Sequence, residues 1–166
     1  VPLSIFNTPE SAKFTVLEVG MDKKGEIDYL TKLIRPNLGL ITNISYAHIE
    51  NFKNLDHIAY AKGELINNII PGGTIVLNMD DSYYNYFLKK ARSNKLKTIS
   101  YSKFNQKADI IFLNQKKYKK NYLCEFKIKN EKKSFLISKN LHNYKENILS
   151  SIGIISNYFN IKKLNK

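Results

Sequence analysis

The amino-acid sequence predicts an α/β fold, a Rossmann-like parallel sheet flanked by helices with a small antiparallel β extension. In the first half of the 166 residues, short β-rich runs alternate with stretches whose apolar residues recur at helical spacing. In the second half, β-rich runs follow one another without an intervening helix, which favours an antiparallel meander. Strands separated by helices are joined by right-handed crossovers, so we expect the first four strands to be parallel and covered on both faces.

Local signals place each predicted element. Gly20 ends the first β-rich run, Pro36 ends the first helix, and a Pro-Gly-Gly sequence at 71–73 ends the second. The polar residues 80–82 can cap a third helix. The predicted strands are 14–19, 38–44, 74–77, 97–101, 109–113, 122–128 and 133–137, and the predicted helices are 27–34, 55–69, 83–88 and 144–158.

Length and composition favour one globular domain over residues 1–166, with a β-rich extension at 105–139 inside it. The hydrophobic fraction of 43%, with 9 Phe and 11 Tyr, can fill a core. No apolar run approaches the roughly 20 residues that span a bilayer, and the first residues lack the features of a signal peptide. The single Cys124 excludes an internal disulfide and fits a reducing compartment. We therefore expect a cytoplasmic monomer without a membrane span.

The net charge of +13 suggests nucleic acid as a partner. Lysine dominates that charge, however, and Arg35 and Arg92 are the only arginines, whereas nucleic-acid readers also use the arginine fork. Enrichment in Lys, Asn and Ile is also what codon bias in an AT-rich genome produces. We therefore expect a solvated basic surface and no specific nucleic-acid partner. The densest basic patch, which a hairpin tip explains as well as a binding site, is Lys116, Lys117, Lys119 and Lys120 with Tyr118 and Tyr122.

Polar residues follow three neighbouring predicted strands at the edge where ligands of open parallel sheets collect. Glu18 closes the first strand, Asn43 closes the second with His48 in the loop beyond, and Asn78 closes the third. Asp80 and Asp81 come next. A carboxylate and a histidine beside nucleotide phosphates can form a site for a hard cation, with Glu18 as the anionic ligand. Taken singly, each residue has an ordinary interpretation as a surface group or a helix cap.

Lys62 lies on the apolar stripe of the second predicted helix, seven residues after Leu55 and seven before Ile69. A lysine on such a stripe either extends its amine to the protein surface or is buried with a lowered pKa. A neutral buried amine can react with carbon dioxide to form a carbamate, which is negatively charged and can bind a metal.

Several linked motifs follow one another along the first half of the chain. They are Leu17-Glu18-Val19-Gly20-Met21, Gly25-Glu26-Ile27, Ile41-Thr42-Asn43-Ile44 with Ala47-His48, Ile58-Ala59-x-Ala61-Lys62-x-Glu64 and Leu77-Asn78-x-Asp80-Asp81. In order and spacing, these motifs resemble the Mur ligase family, and within it the members that add D-alanyl-D-alanine. The resemblance is tight over residues 1 to about 90 and looser beyond.

The resemblance implies an ATP- and Mg²⁺-dependent ligase of peptidoglycan precursor synthesis. Such enzymes phosphorylate the carboxylate of a UDP-N-acetylmuramoyl peptide, and D-alanyl-D-alanine then attacks the acyl phosphate. By this resemblance, Glu18 and His48 ligate magnesium, Lys62 is a carbamoylated lysine that positions a second magnesium, and His48 and Lys62 serve catalysis. Asn43 would lie between metal and substrate.

The nucleotide side of the site follows from the same resemblance. Asn78 and Asp80 would support the nucleotide at the sheet edge, and Asn147 would contact the adenine. The family has a histidine four residues before that asparagine, whereas His142 lies five before Asn147. Either the register slips by one residue, so that His142 still serves, or Asn143 takes the place of the histidine.

Two family features are absent from residues 1–166: the Gly-Lys-Thr phosphate loop and the C-terminal domain. We therefore expect an N-terminally truncated central domain that is inactive by itself. The alternatives are another Mur ligase, a folylpolyglutamate synthase-like ligase, and a basic, non-catalytic nucleotide- or nucleic-acid-binding module.

Overall fold

A computed structural model describes residues 1–46 and 52–160. In this part of the chain, no helix has both the length and the apolar character needed to cross a bilayer. The strands are β1 (Leu38–Ile41), β2 (Thr74–Asn78), β3 (Lys97–Ser102), β4 (Ile110–Tyr118), β5 (Asn121–Ile128) and β6 (Glu131–Ser138). The helices are α1 (Pro2–Phe6), α2 (Glu26–Ile34), α3 (Leu55–Lys62), α4 (Glu64–Asn68), α5 (Tyr84–Ser93) and α6 (Lys145–Tyr158).

The six strands lie side by side in chain order in one sheet. The pairs β1–β2, β2–β3 and β3–β4 are parallel, whereas β4–β5 and β5–β6 are antiparallel. The predicted α/β fold with a small antiparallel extension is therefore confirmed. The extension continues the main sheet through β4 and does not form a separate layer.

Helices cover both faces of the parallel strands. Ile75 of β2 points to one face, where it belongs to a core cluster with residues of α4 and α5. Val76 points to the opposite face and shares a cluster with Leu149 of α6. At the amino end of β2, the Thr74 hydroxyl donates to the Asn157 side chain at 3.0 Å. The end of α6 therefore lies at the amino edge of the sheet, and its first turn lies towards the carboxyl edge.

Gly73, at the entrance to β2, is required by close packing. A Cβ at this position would lie 2.8 Å from the carbonyl oxygens of both Asn37 and Ile70. We predict that Gly73→Ala lowers the free energy of unfolding by about 1–3 kcal/mol, because neither backbone oxygen can move away cheaply. Urea unfolding followed by circular dichroism measures the change. Gly20→Ala, whose added methyl group would have nothing within 4 Å, is the control, and equal stability of the two variants would contradict the packing argument.

The predicted first strand, residues 14–19, is wrong, because this segment has no regular secondary structure. A strand requires a neighbour that satisfies its backbone groups, and this segment pairs with none of the described strands. Phe14 and Val16 are consequently 56% and 89% exposed. The following residues are held by side-chain packing instead, since Val19 and Met21 join a cluster with α2 and α3.

β1 is shorter than predicted and ends at Ile41 rather than at Ile44. Side chains replace the strand ladder beyond that point. The Thr42 carbonyl accepts from the Tyr101 hydroxyl at 3.1 Å, and the Ile44 N–H donates to Asp81 at 2.7 Å. The chain therefore leaves the sheet early, held by one side chain of β3 and one of the segment after β2.

The predicted helix 55–69 is divided at Gly63 into α3 and α4. The ring of Tyr86 on α5 approaches so closely that a Cβ on Gly63 would lie 3.2 Å from it, and glycine is a weak helix former. The predicted caps at 80–82 are also wrong, because α5 begins after Tyr83 without a side-chain cap.

Candidate functional site

The carboxyl edge of the parallel strands gathers most of the predicted polar residues. Asn43 follows β1, Asn78 ends β2, and Asp80 and Asp81 follow directly. Ser102, which belongs to none of the sequence motifs, ends β3 in the same row. The structure therefore places these five residues along one edge of the sheet, and their hydrogen bonds define how they are held.

Asp81 fixes the loop that follows β1. Its Oδ2 accepts from the Ile44 N–H at 2.7 Å, and its Oδ1 accepts from the Tyr83 N–H at 2.8 Å. One carboxylate therefore connects the loop after β1 to the start of α5. Hydrogen bonds to an ionised acceptor are about twice as strong as neutral ones, so this connection is firm.

The Asp80 carboxylate accepts hydrogen bonds from the end of β3, whereas Asp81 accepts one from the loop after β1. Its carboxylate accepts from the Ser102 hydroxyl and, at 2.6 Å, from the Lys103 N–H. The buried Asn78 side chain in turn accepts from the Asp80 N–H at 3.0 Å. Asp80 therefore supports the segment after β3, and its two oxygens are already engaged by protein donors.

Lys62 ends α3 at this edge of the sheet. The side chain is half-buried, and its Nζ donates to the Asn43 carbonyl at 2.9 Å. Burial lowers the pKa of the amine, and the nearby negative charge of Asp81 opposes that shift. The side chain is therefore partly buried, and its amine extends to the sheet edge, where it faces the loop after β1.

Glu18 lies in the irregular segment that leads to Gly20, and its side chain is exposed. The residues after it pack against α3, because Met21 shares a cluster with Ala61, the neighbour of Lys62. His48 lies outside the described residues. Within residues 1–46 and 52–160, no three His, Cys, Asp or Glu side chains form a group that could hold a metal.

Glu64 connects two of the sequence motifs. Its Oε1 accepts from the Gly25 N–H at 3.0 Å, and its Oε2 accepts from the Asp28 N–H at 3.1 Å. These are free donors at the start of α2, so Glu64 acts as a cap supplied by another helix. Gly25 has a φ of 92°, a conformation that favours glycine. The motif at 25–27 and the motif that ends in Glu64 are therefore linked because α2 packs on α4.

A cleft of about 710 Å³ opens between the end of β3 and the first turn of α6. Lys103 pairs with Glu146 across it at 2.5 Å, and the exposed ring of Phe104 forms part of its wall. On the other side, the Lys145 amine lies 4.7 Å from the ring centroid of Phe112. The cleft thus combines aromatic faces with the positive end of a helix, a combination suited to a flat ring that carries phosphates.

The three residues considered for contact with the adenine do not all lie in the same place. Asn147 and Asn143 line the cleft. His142 does not line it, because its ring stacks on Tyr122 with centroids 3.8 Å apart, and its Nδ1 lies 2.6 Å from the Lys139 carbonyl. The structure therefore places Asn143, and not His142, beside Asn147 in the wall of the cleft.

Sequence reasoning missed Lys103 and Phe104 as cleft residues. Their positions could have indicated them, because they follow directly after β3, at the same sheet edge as the other predicted residues. The polar run between β3 and β4 concealed it, since a lysine and an exposed aromatic in a loop are usually surface residues.

Known proteins resemble this chain in sequence and in fold. The family model of the Mur ligase middle domain matches residues 1–155. UDP-N-acetylmuramoyl-tripeptide–D-alanyl-D-alanine ligase of Buchnera aphidicola is 34% identical over 103 residues, which cover 62% of this chain and 22% of that protein. The Borreliella burgdorferi ligase of the same name is 38% identical over 92 residues, 55% of this chain and 19% of that protein. The chain therefore spans about a fifth of the length of these relatives.

Solved structures share the fold. MurF from Acinetobacter baumannii superposes with a TM-score of 0.80 at 21% identity, over 93% of this chain and 33% of that one. MurF ligase from Thermotoga maritima in complex with ADP gives a TM-score of 0.79 at 22% identity, over 94% of this chain and 35% of that one. A point mutant of L. casei FPGS gives 0.66 at 14% identity, over 85% and 33%. With a family model that matches nearly the whole chain, this protein belongs to the Mur ligase middle domain family.

Proposed function

We propose that this chain is the nucleotide-binding part of an ATP-dependent ligase that joins D-alanyl-D-alanine to a UDP-N-acetylmuramoyl tripeptide. The observation that carries the proposal is the Lys62 amine, half-buried at the carboxyl edge and bonded to the Asn43 carbonyl. The names of the relatives support the substrates, and the ADP complex of the Thermotoga maritima ligase supports an adenine nucleotide. The free, buried Cys124 fits a reducing cytoplasm as the place of action.

The proposed reaction has two steps. The carboxylate of the tripeptide forms a bond to the γ-phosphorus of ATP, and ADP leaves with the electrons of the broken phosphoanhydride bond. The amine of D-alanyl-D-alanine then attacks the acyl carbon and loses a proton, and inorganic phosphate leaves. The protein contributes by holding the reactants in line and by stabilising the developing charge.

The residues present fit a magnesium site in their donor chemistry. The exposed Glu18 carboxylate offers oxygen ligands, whereas the oxygens of Asp80 and Asp81 are occupied by protein donors. Glu18, together with His48 as the family resemblance implies, would hold the ion, which when bound neutralises phosphate charge. Lys62 could add oxygen ligands only as a carbamate, and its lowered pKa favours the neutral amine that forms one.

The adenine would occupy the cleft beside Asn147 and Asn143, with the ring of Phe104 available for stacking. In this arrangement, Asp80 holds the Lys103 backbone and thereby one wall of the cleft. Asp81 holds the loop that receives the Lys62 hydrogen bond. The two adjacent aspartates would thus position the nucleotide side and the metal side of one site.

We predict that Asn147→Ala weakens ATP binding by the full-length ligase about tenfold, the value of one hydrogen bond. His142→Ala should change it by less than about twofold, because that ring stacks outside the cleft. Isothermal titration calorimetry measures both affinities, with Asn140→Ala, an exposed turn residue, as the control. A larger loss for His142→Ala than for Asn147→Ala would contradict the placement of the adenine.

The reaction itself is tested with the full-length protein. Incubation with ATP, Mg²⁺, UDP-N-acetylmuramoyl tripeptide and D-alanyl-D-alanine should yield ADP, phosphate and a product whose mass has increased by the dipeptide less one water. Transfer of a different amino acid, or of glutamate to a folate, with no dipeptide transfer would refute the proposed substrates and favour another ligase of the superfamily.

A further inference from the structure

The outer face of the antiparallel extension is not covered by a helix of the described chain. Along β5, Cys124, Phe126 and Ile128 point into the core, whereas Leu123 points to the other face and is 37% exposed. Leu123 pairs with Leu136 on β6, which is 54% exposed, and with Lys116 on β4. Three neighbouring strands thus present one row in which a lysine adjoins two exposed leucines.

The β4–β5 tip carries concentrated positive charge. We call Lys116, Lys117, Lys119 and Lys120 the basic tip, and all four are exposed. Tyr118, on the same face as Lys116, is 52% exposed. The basic tip therefore surrounds an aromatic ring and lies next to the leucine pair.

No carboxylate in the described part of the chain neutralises this charge. Salt bridges within residues 1–46 and 52–160 do not involve the basic tip. The two carboxylates of β5 and β6 are already paired, Glu125 with Lys132 at 3.0 Å and Glu131 with Lys133 at 3.5 Å. The combination of lysines without an acidic partner and exposed apolar side chains suits an anionic, amphiphilic partner.

We propose that this hairpin binds the surface of an anionic membrane peripherally. Leucine and tyrosine side chains can enter the boundary between headgroups and acyl chains, while lysines extend to lipid phosphates. Three apolar side chains are too few for a stable protein interface, which needs about 800 Å² on each partner. Nucleic acid is a poorer fit, because the tip has no arginine. The proposal is independent of the ligase reaction.

Sedimentation of the 166-residue chain with lipid vesicles tests the proposal. At low salt, we expect binding to vesicles of equal parts phosphatidylglycerol and phosphatidylcholine, and none to pure phosphatidylcholine. Replacing the basic tip by four glutamines should weaken binding about tenfold or more. Leu123→Thr with Leu136→Thr should weaken it independently of salt, and circular dichroism verifies that each variant is folded.

The matched control replaces four other exposed lysines by glutamine, namely Lys13, Lys24, Lys89 and Lys95. It removes the same charge and, like the basic tip, includes one residue with positive φ, 55° at Lys95 compared with 53° at Lys119. Binding by the control should stay within about twofold of the unmodified chain. Equal loss in both variants would reduce the effect to net charge and overturn the proposal. Lysine-dependent binding of a random-sequence RNA without vesicle binding would overturn it in favour of nucleic acid.

Discussion

Replacing Lys62 by alanine in the full-length protein is expected to reduce the turnover of the proposed ligase reaction by a factor on the order of 10²–10³, the usual loss when one electrostatic stabiliser of the transition state is removed. The amine is half-buried, bonded to the Asn43 carbonyl and lowered in pKa, so it is suited to form a carbamate at the sheet edge. Phosphate release from ATP, coupled to a second enzyme, measures the rate. The fold should persist, since Lys62 ends its helix.

The conservative variant Lys62→Arg separates charge from carbamate chemistry. Arginine retains the positive charge but cannot form the carbamate, so this variant should be as impaired as Lys62→Ala. Chloride or formate should not restore the alanine variant unless the anion can mimic the carbamate. Lys89→Ala, a change at an exposed lysine of α5, is the control. Wild-type turnover in Lys62→Ala would remove Lys62 from the mechanism.

Replacing Asp81 by alanine is expected to lower the free energy of unfolding by about 2 kcal/mol, because the N–H groups of Ile44 and Tyr83 lose a charged acceptor. It should also release the loop that carries Asn43 and thereby disturb the partner of Lys62. Urea unfolding measures the first effect, and the turnover of the full-length ligase measures the second. Glu10→Ala, at an exposed acidic residue, is the control.

The negative charge of Asp81 should also change the pKa of Lys62 in a predictable direction. Because this carboxylate raises the pKa of Lys62 against the effect of burial, Asp81→Asn should lower that pKa further. Lys62 should then react with an amine-specific reagent at lower pH than in the unmodified chain, as peptide mass spectrometry can show. If Lys62 instead required a higher pH to react in Asp81→Asn than in the unmodified chain, the geometry described for the two residues would be contradicted.

The parts of the fold that sequence predicted well are those with strong periodic patterns. α6 lies where its apolar stripe placed it. β2 lies where a continuous apolar run after Pro-Gly-Gly placed it, and all five of its residues are buried. Residues 14–19 show the limit of this reasoning, because β propensity cannot create a strand without a neighbour. Gly63 shows another, since its effect depends on the approach of Tyr86 from a helix distant in sequence.

The candidate site was predictable in its location but not in the direction of its side chains. Their positions at the ends of predicted parallel strands placed Asn43, Asn78 and Asp80 near one edge, as the structure has them. The opposite roles of two adjacent aspartates, one bonded towards β1 and the other towards β3, depend on backbone geometry that the sequence does not state. The stacking of His142 on Tyr122 likewise depends on a cross-element contact.

The most direct test of the account is a crystal structure of the full-length protein with ADP and Mg²⁺, grown in the presence of bicarbonate. We predict that Glu18, His48 and a carbamate on Lys62 face common divalent cations, with ligand distances of about 2.0–2.1 Å for any residue that binds magnesium directly. The adenine should lie against Asn147. A structure in which the Lys62 amine points away from Glu18, with the cations held by other residues, would contradict the account.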